Sequence, residues 1–176
     1  MNQMSSKEPI LFVDVDGVIS LFGFSRGDPP PGTFHWVDGV IHCINRACGP
    51  RLTRLSEAYE LVWATGWEEK ANEYQPHQLD LEVRELPLVS LAGGAVFGSA
   101  HWKLGALDEY ARGRPAAWVD DFLDEECERW AEARAEPTLL VRTESHTGLT
   151  DELVDVLLGW ADSLDPAEPN SGPETA

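Results

Sequence analysis

Short apolar runs alternate with stretches of helical spacing along most of the chain. Ile10-Leu-Phe-Val-Asp14-Val15 is an apolar run broken by one carboxylate and closed by Asp16-Gly17, which predicts a strand buried on both faces and ending in a turn. Leu61-Val-Trp-Ala64, Ala116-Ala-Trp-Val119 and Thr138-Leu-Leu-Val141 predict three more strands, the first of these closing on Thr65-Gly66 and the next on Asp120-Asp121. Helices are predicted over residues 45–58, with Leu52 and Leu55 apolar and Gly49-Pro50 interrupting or starting the helix, and over 67–74. Further helices are predicted over 101–112, with Trp102, Leu104, Leu107 and Ala111 at helical spacing, and over 124–135. A last one covers 150–160, where Thr150 caps a helix with Leu153, Val154, Leu157 and Leu158 on one side.

Two stretches depart from this grammar. Residues 20–32 are rich in Gly and Pro, including Pro29-Pro30-Pro31, and predict a loop. Phe34-His-Trp-Val37 and Val40-Ile-His-Cys-Ile44, joined by Asp38-Gly39, predict a β-hairpin, so 20–44 reads as a small flap inserted after the first strand. Residues 75–99, with Pro76, Pro87 and Gly93-Gly94, predict a long irregular connection with one short strand near Leu86 to Leu91. The alternation of strands and helices predicts an α/β fold, a three-layer sandwich with a central parallel sheet whose ligands bind beyond the carboxyl ends of the strands. One domain over 10–160 is expected, with residues 1–9 and the acidic tail 161–176 disordered.

At 176 residues, 43% of them hydrophobic, the chain is long enough for one complete core. No apolar run approaches the ~20 residues that cross a bilayer, and residues 1–9 lack the apolar stretch of a signal peptide. A cytoplasmic protein without a membrane partner is therefore expected. Cys43, Cys48 and Cys127 are too few and too unevenly placed for a disulfide framework, which agrees with a reducing compartment. A net charge of -18 repels polyanions, so no general nucleic-acid-binding surface is expected, and an anionic substrate needs a cation held within the site.

The strand ends offer such a site. Period-two alternation puts Asp14 and Asp16 on one face of an extended segment, so two carboxylates can converge on one substrate, one attacking and the other moving a proton. A carboxylate is a competent nucleophile toward phosphorus, because an aspartyl-phosphate divides a difficult displacement into two easier steps. Attack on a phosphate dianion by an anion needs charge neutralisation, which Mg2+ bridging Asp14, the Asp16 carbonyl and a carboxylate of Asp120-Asp121 would supply together with Lys103. Thr65, Gly66 and the backbone N–H groups that follow them can hold the phosphoryl oxygens.

Asp14-Val-Asp16-Gly17-Val after an apolar strand resembles the first motif of the haloacid dehalogenase superfamily, Ala64-Thr65-Gly66-Trp67 the second, Lys103 the third and Val119-Asp120-Asp121 the fourth, in that order along the chain. The resemblance implies a Rossmann-like fold and a Mg2+-dependent phosphatase hydrolysing phosphate monoesters through Asp14. It also implies Asp16 as general acid and base for a leaving alcohol, and Asp121 as the direct metal ligand of the acidic pair. The wording around the second and fourth motifs is further similar to small members related to phosphatase modules of nucleic-acid repair proteins. Because only residues 20–44 are available as a cap, the resemblance implies a small or absent lid, and a substrate that is either a small molecule or a nucleic-acid end. Phosphotransfer to an acceptor other than water shares every motif. A catalytically silent binding or regulatory module that uses the flap is the competing class.

Other residues read more simply. His35, His42, Cys43 and Cys48 include zinc-ligand types, but their spacing matches no common structural zinc site. Trp36, Trp67 and Trp102 can stack on a base or sugar, yet core or rim packing is the expected role. His101 and His146 lie near motif loops and are expected to face solvent or cap helices. Asp124, Glu125, Glu126 and Glu128 read as the negatively charged first turns of a helix.

Overall fold

Strand β1 (Ile10–Val13) is buried at all four positions because it lies between two strands and between two layers of helices. This computed structural model describes residues 8–82, 85–91, 95–96 and 98–164; residues 1–7, Gly93-Gly94 and the tail from 165 lie outside them. After β1 come β2 (Ser20–Leu21), β3 (Thr33–Val37), β4 (Val40–Ile44), α1 (Cys48–Leu55), β5 (Glu60–Trp63) and α2 (Glu69–Gln78). A 3-10 turn (His101–Lys103) then leads into α3 (Leu104–Tyr110), followed by β6 (Ala116–Asp120), α4 (Glu125–Ala133), β7 (Thr138–Arg142) and α5 (Asp151–Leu164).

The fold is α/β. A four-stranded parallel sheet in the order β5-β1-β6-β7 carries helices on both faces, and a three-stranded antiparallel sheet in the order β2-β4-β3 stands beside it, a layout consistent with a Rossmann-like arrangement. Strand alternation divides the core in two. Leu11, Val13, Leu61, Trp63, Ala117 and Val119 meet Leu52 and Leu55 of α1 and Val154 and Leu157 of α5. Ile10, Phe12, Val62, Ala116 and Trp118 meet Leu107 of α3 and Cys127 of α4 on the opposite face. Burial on both faces is what makes these strands read as near-continuous apolar runs.

After β1 the chain adds β5 on one side and β6 on the other. Connections therefore leave in opposite directions at the ends of β1 and β6, opening a crevice there, and Asp14 and Asp120 are the residues at its lip.

Several boundaries differ from the sequence expectation. Helix α1 starts at Cys48 and takes Pro50 into its first turn, where a missing N–H breaks no helical bond. Helix α2 begins two residues later than expected and runs through Pro76 to Gln78, held there by the burial of Ala71, Gln75 and Pro76. The Gly- and Pro-rich segment contains β2, which pairs with β4, so the flap has three strands. Near Leu88 there is one parallel bridge to Trp63, with Trp63 N–H donating to Pro87 and Val89 N–H to Trp63. Helix α5 runs to Leu164 instead of ending at Trp160, and Thr150 Oγ1 accepts from Leu153 N–H at its start. Glu8 and Pro9 are tied in, to Arg114 and to Glu60 N–H.

All three cysteines are free and buried. Among the described residues no helix is long and apolar enough to cross a membrane.

Candidate functional site

Asp14 follows β1 directly, and its Oδ2 lies 3.0 Å from Lys103 Nζ. The same ammonium is 2.7 Å from Oδ2 of Asp120, the last residue of β6. All three groups are buried. Burial opposes charge on Lys103, but Asp14 and Asp120 outweigh it and push the ammonium pKa up, so Lys103 stays protonated. Burial and the Asp14 charge raise the Asp120 carboxyl above the ordinary aspartate value as well, against the influence of Lys103. Too many carboxylates therefore share one cation.

Asp121 adds to that excess. Its Oδ2 accepts from Ser145 Oγ at 2.6 Å, while its Oδ1 is buried with no hydrogen-bond partner. Burial raises its pKa, and the Ser145 hydrogen bond opposes the rise. Asp14, Asp120 and Asp121 each bring one carboxylate oxygen to within 4.8 Å of the others. Three formal negative charges then face the single positive charge of Lys103, and a divalent cation would bring the sum to zero. Both oxygens of Asp120 already have donors, Lys103 Nζ and the Phe122 N–H. Asp14 is engaged as well, its Oδ1 accepting from the Val15 N–H at 2.7 Å and its Oδ2 facing Lys103. The unpartnered oxygen belongs to Asp121, and the three carboxylates together fit a divalent cation.

Gly17 permits this approach. Its φ is +73°, and a Cβ there would stand 2.1 Å from Asp121 Oδ2. Its carbonyl accepts from Thr143 Oγ1 at 2.8 Å, so the segment after β7 holds Gly17 through Thr143 and Asp121 through Ser145.

Asp16 stands apart from the three-carboxylate group, leaving its main-chain carbonyl as the group the sequence offers to an ion. Its Oδ2 accepts from Trp67 Nε1 at 3.0 Å, and its Oδ1 is 3.8 Å from His42 Nδ1 of the flap. Burial beside the aromatic rings, then the nearby Asp14 charge, raises the Asp16 pKa to about 6, although 49% of its side chain still meets solvent. A carboxyl half-protonated near that pH can both give and take a proton. Trp67 is held by an edge contact with the His42 ring, 4.7 Å between centroids, and is followed by Glu68 at a φ of +49°.

Thr65 is buried at the end of β5, and its Oγ1 accepts from Trp67 N–H at 3.3 Å, which leaves its hydroxyl hydrogen free for another acceptor. Gly66 lines the pocket above Asp14; the pocket has a volume of about 330 Å³ and carries Phe22, Trp102 and Phe122 on its walls. The segment bearing Lys103 is clamped to the β6 end: Ala100 N–H donates to the Phe122 carbonyl, and Ser99 Oγ and His101 Nδ1 lie 2.6 and 2.8 Å from Asp124 Oδ2. Asp124 Oδ1 also accepts from Cys127 N–H and so caps α4.

Asp14, Asp16, Gly66, Lys103, Asp120 and Asp121 thus line one pocket, whereas Thr65 is buried next to Gly66 and does not line it. His35, Cys43 and Cys48 do not line the pocket, nor does His146, which is exposed and follows Ser145. The sequence reading missed Phe22, Phe122, Ser145 and the bond from Trp67 to Asp16. Only Trp67, directly after Thr65-Gly66, carried a positional signal.

No family model matches the chain, and no curated protein matches it. Among solved structures, the chain is similar to a hypothetical protein from Xanthomonas campestris, at 18% identity over 89% of this chain and 86% of that one, with a TM-score of 0.45. A likeness of that degree supports no argument about function.

Proposed function

We propose that this protein is a Mg2+-dependent phosphatase of the haloacid dehalogenase type, hydrolysing phosphate monoesters through an aspartyl-phosphate on Asp14. The observation that carries this reading is the convergence of Asp14, Asp120 and Asp121 on one buried point with Lys103, leaving an unpartnered carboxylate oxygen on Asp121.

An Asp14 oxygen forms a bond to phosphorus as the bond from phosphorus to the leaving oxygen breaks, and Asp16 gives that oxygen its proton. Asp16, now a carboxylate, takes a proton from water as the water oxygen attacks phosphorus. That second displacement releases phosphate and restores Asp14. Lys103 offsets charge on Asp14 in both steps, and Thr65 and the backbone after it orient the phosphoryl oxygens. Magnesium, when bound by Asp14 and Asp121, supplies the remaining charge neutralisation.

The test is turnover of a panel of phosphate monoesters with and without Mg2+. Release of phosphate that needs the metal and disappears in Asp14→Asn supports the reading. Turnover untouched by Asp14→Asn, or none on any ester, defeats it. Product analysis with an added alcohol separates hydrolysis from phosphotransfer.

One observation favours the second reading, a module that binds a partner through its flap: Phe34 and Trp36 stand 56% and 70% exposed on β3. Partner capture that survives Asp14→Asn and is lost in Trp36→Ser, without turnover, would establish it.

A further inference from the structure

The pocket above Asp14 has two unlike halves. Carboxylates and Lys103 form its floor, while Phe22, Val96, Trp102 and Phe122 form its walls. The Phe22 and Phe122 rings lie 6.3 Å apart at an interplanar angle of 35°, and Phe22 and Val96 leave 37% and 48% of their surface uncovered. Trp102 carries the Lys103 ammonium 5.6 Å from its ring centroid, which joins the apolar wall to the charged floor.

Charge separates the groups that such a pocket accepts from those it rejects. Among the described residues lining it, Lys103 is the sole cation, and it is already paired with Asp14 and Asp120. Residues 91–100, which contribute Val96 and Ser99 to the rim, include no charged residue. A second anionic group on a substrate would lose water, meet no counter-charge and face the floor carboxylates. A flat uncharged ring would instead cover the two phenylalanines and the indole. At about 330 Å³ the space has the size of a small-molecule site.

We infer that the group esterified to the phosphate is a single uncharged aromatic or similarly flat apolar group, so that the substrates are small aryl-type phosphate monoesters. Bisphosphates, nucleotide polyphosphates and phosphate-ended nucleic acids are disfavoured. This rests on the phosphatase reading for the chemistry, and on the walls alone for the choice of ligand.

Two measurements on the full chain with Mg2+ test it. In calorimetry, phenylphosphonate should bind at least about tenfold more tightly than methylphosphonate or 4-carboxyphenylphosphonate. Phe122→Ala and, as a second variant at a more exposed position, Phe22→Ala should erase the preference over methylphosphonate. In turnover, kcat/KM for 4-methylphenyl phosphate should exceed that for 4-carboxyphenyl phosphate by a similar factor, with the difference in KM. Equal or tighter binding of the carboxylated or methyl compound overturns the inference. Turnover without this selectivity also overturns it and leaves the phosphatase standing, whereas selective binding without turnover defeats the phosphatase and keeps the ligand class.

Discussion

The indole N–H of Trp67 donates to Asp16 Oδ2 at 3.0 Å, joining residues 51 positions apart. Trp67 thereby fixes where the Asp16 carboxyl points, between the flap and the pocket. Trp67→Phe should leave Asp14 and its attack intact while Asp16 loses its orientation. In the proposed reaction the expected result is a fall of about tenfold in the rate of the first step, transfer to Asp14, for alkyl phosphates, whose leaving oxygen needs a proton. That step should change little for 4-nitrophenyl phosphate, while the water step slows alike for both. Equal losses in the first step on both esters would show that Trp67 serves the fold and not proton transfer.

Asp121 should matter to the metal in a way that binding can read. Asp121→Asn removes a buried charge whose Oδ1 has no partner, and relief of that burden should raise the melting temperature in the absence of Mg2+, by an amount equivalent to about 1 kcal/mol. The rise in melting temperature that Mg2+ gives the wild type should shrink or vanish. A variant less stable without Mg2+ and still stabilised by it would count against Asp121 as a ligand.

Gly17 tests how closely the first strand's turn must approach Asp121. Ala at this position would adopt a positive φ and put Cβ into the Asp121 carboxylate. Gly17→Ala should cost about 1–3 kcal/mol in chemical denaturation and weaken the Mg2+-dependent stabilisation as well. A neutral variant would mean that the turn relaxes easily.

Asp124 carries a dependence on pH. Burial opposes its charge, but hydrogen bonds from Ser99, His101 and the Cys127 N–H hold its pKa well below the ordinary aspartate value. A depressed folded-state pKa contributes stability that is present above the unfolded value, about 4, and is lost as pH falls through the folded one. Asp124→Ala should therefore cost about 1 kcal/mol near pH 7 through the lost cap. The gap between variant and wild type should narrow below about pH 4. A gap that stays constant down to pH 2 would remove the charge from the explanation.

The sequence by itself determined the four parallel strands and what stands at their ends. Strands buried on both faces must be apolar throughout, so Asp14, Thr65 and Asp120 stand out where the runs of β1, β5 and β6 stop. The Asp38-Gly39 turn made the hairpin equally legible. Local pattern did not reach the end of α2, because tertiary burial of Gln75 and Pro76 overrides a proline that favours a break. Nor could it show β2, a two-residue strand that exists only because β4 lies beside it. The tertiary structure alone decided the details of the site: that Ser145 holds Asp121, that Trp67 holds Asp16, and that Phe22 meets Phe122. These pairs are distant in sequence and leave no periodicity in it. They form because β5, β1, β6 and β7 lie side by side in one parallel sheet and bring the loops after them together over one crevice.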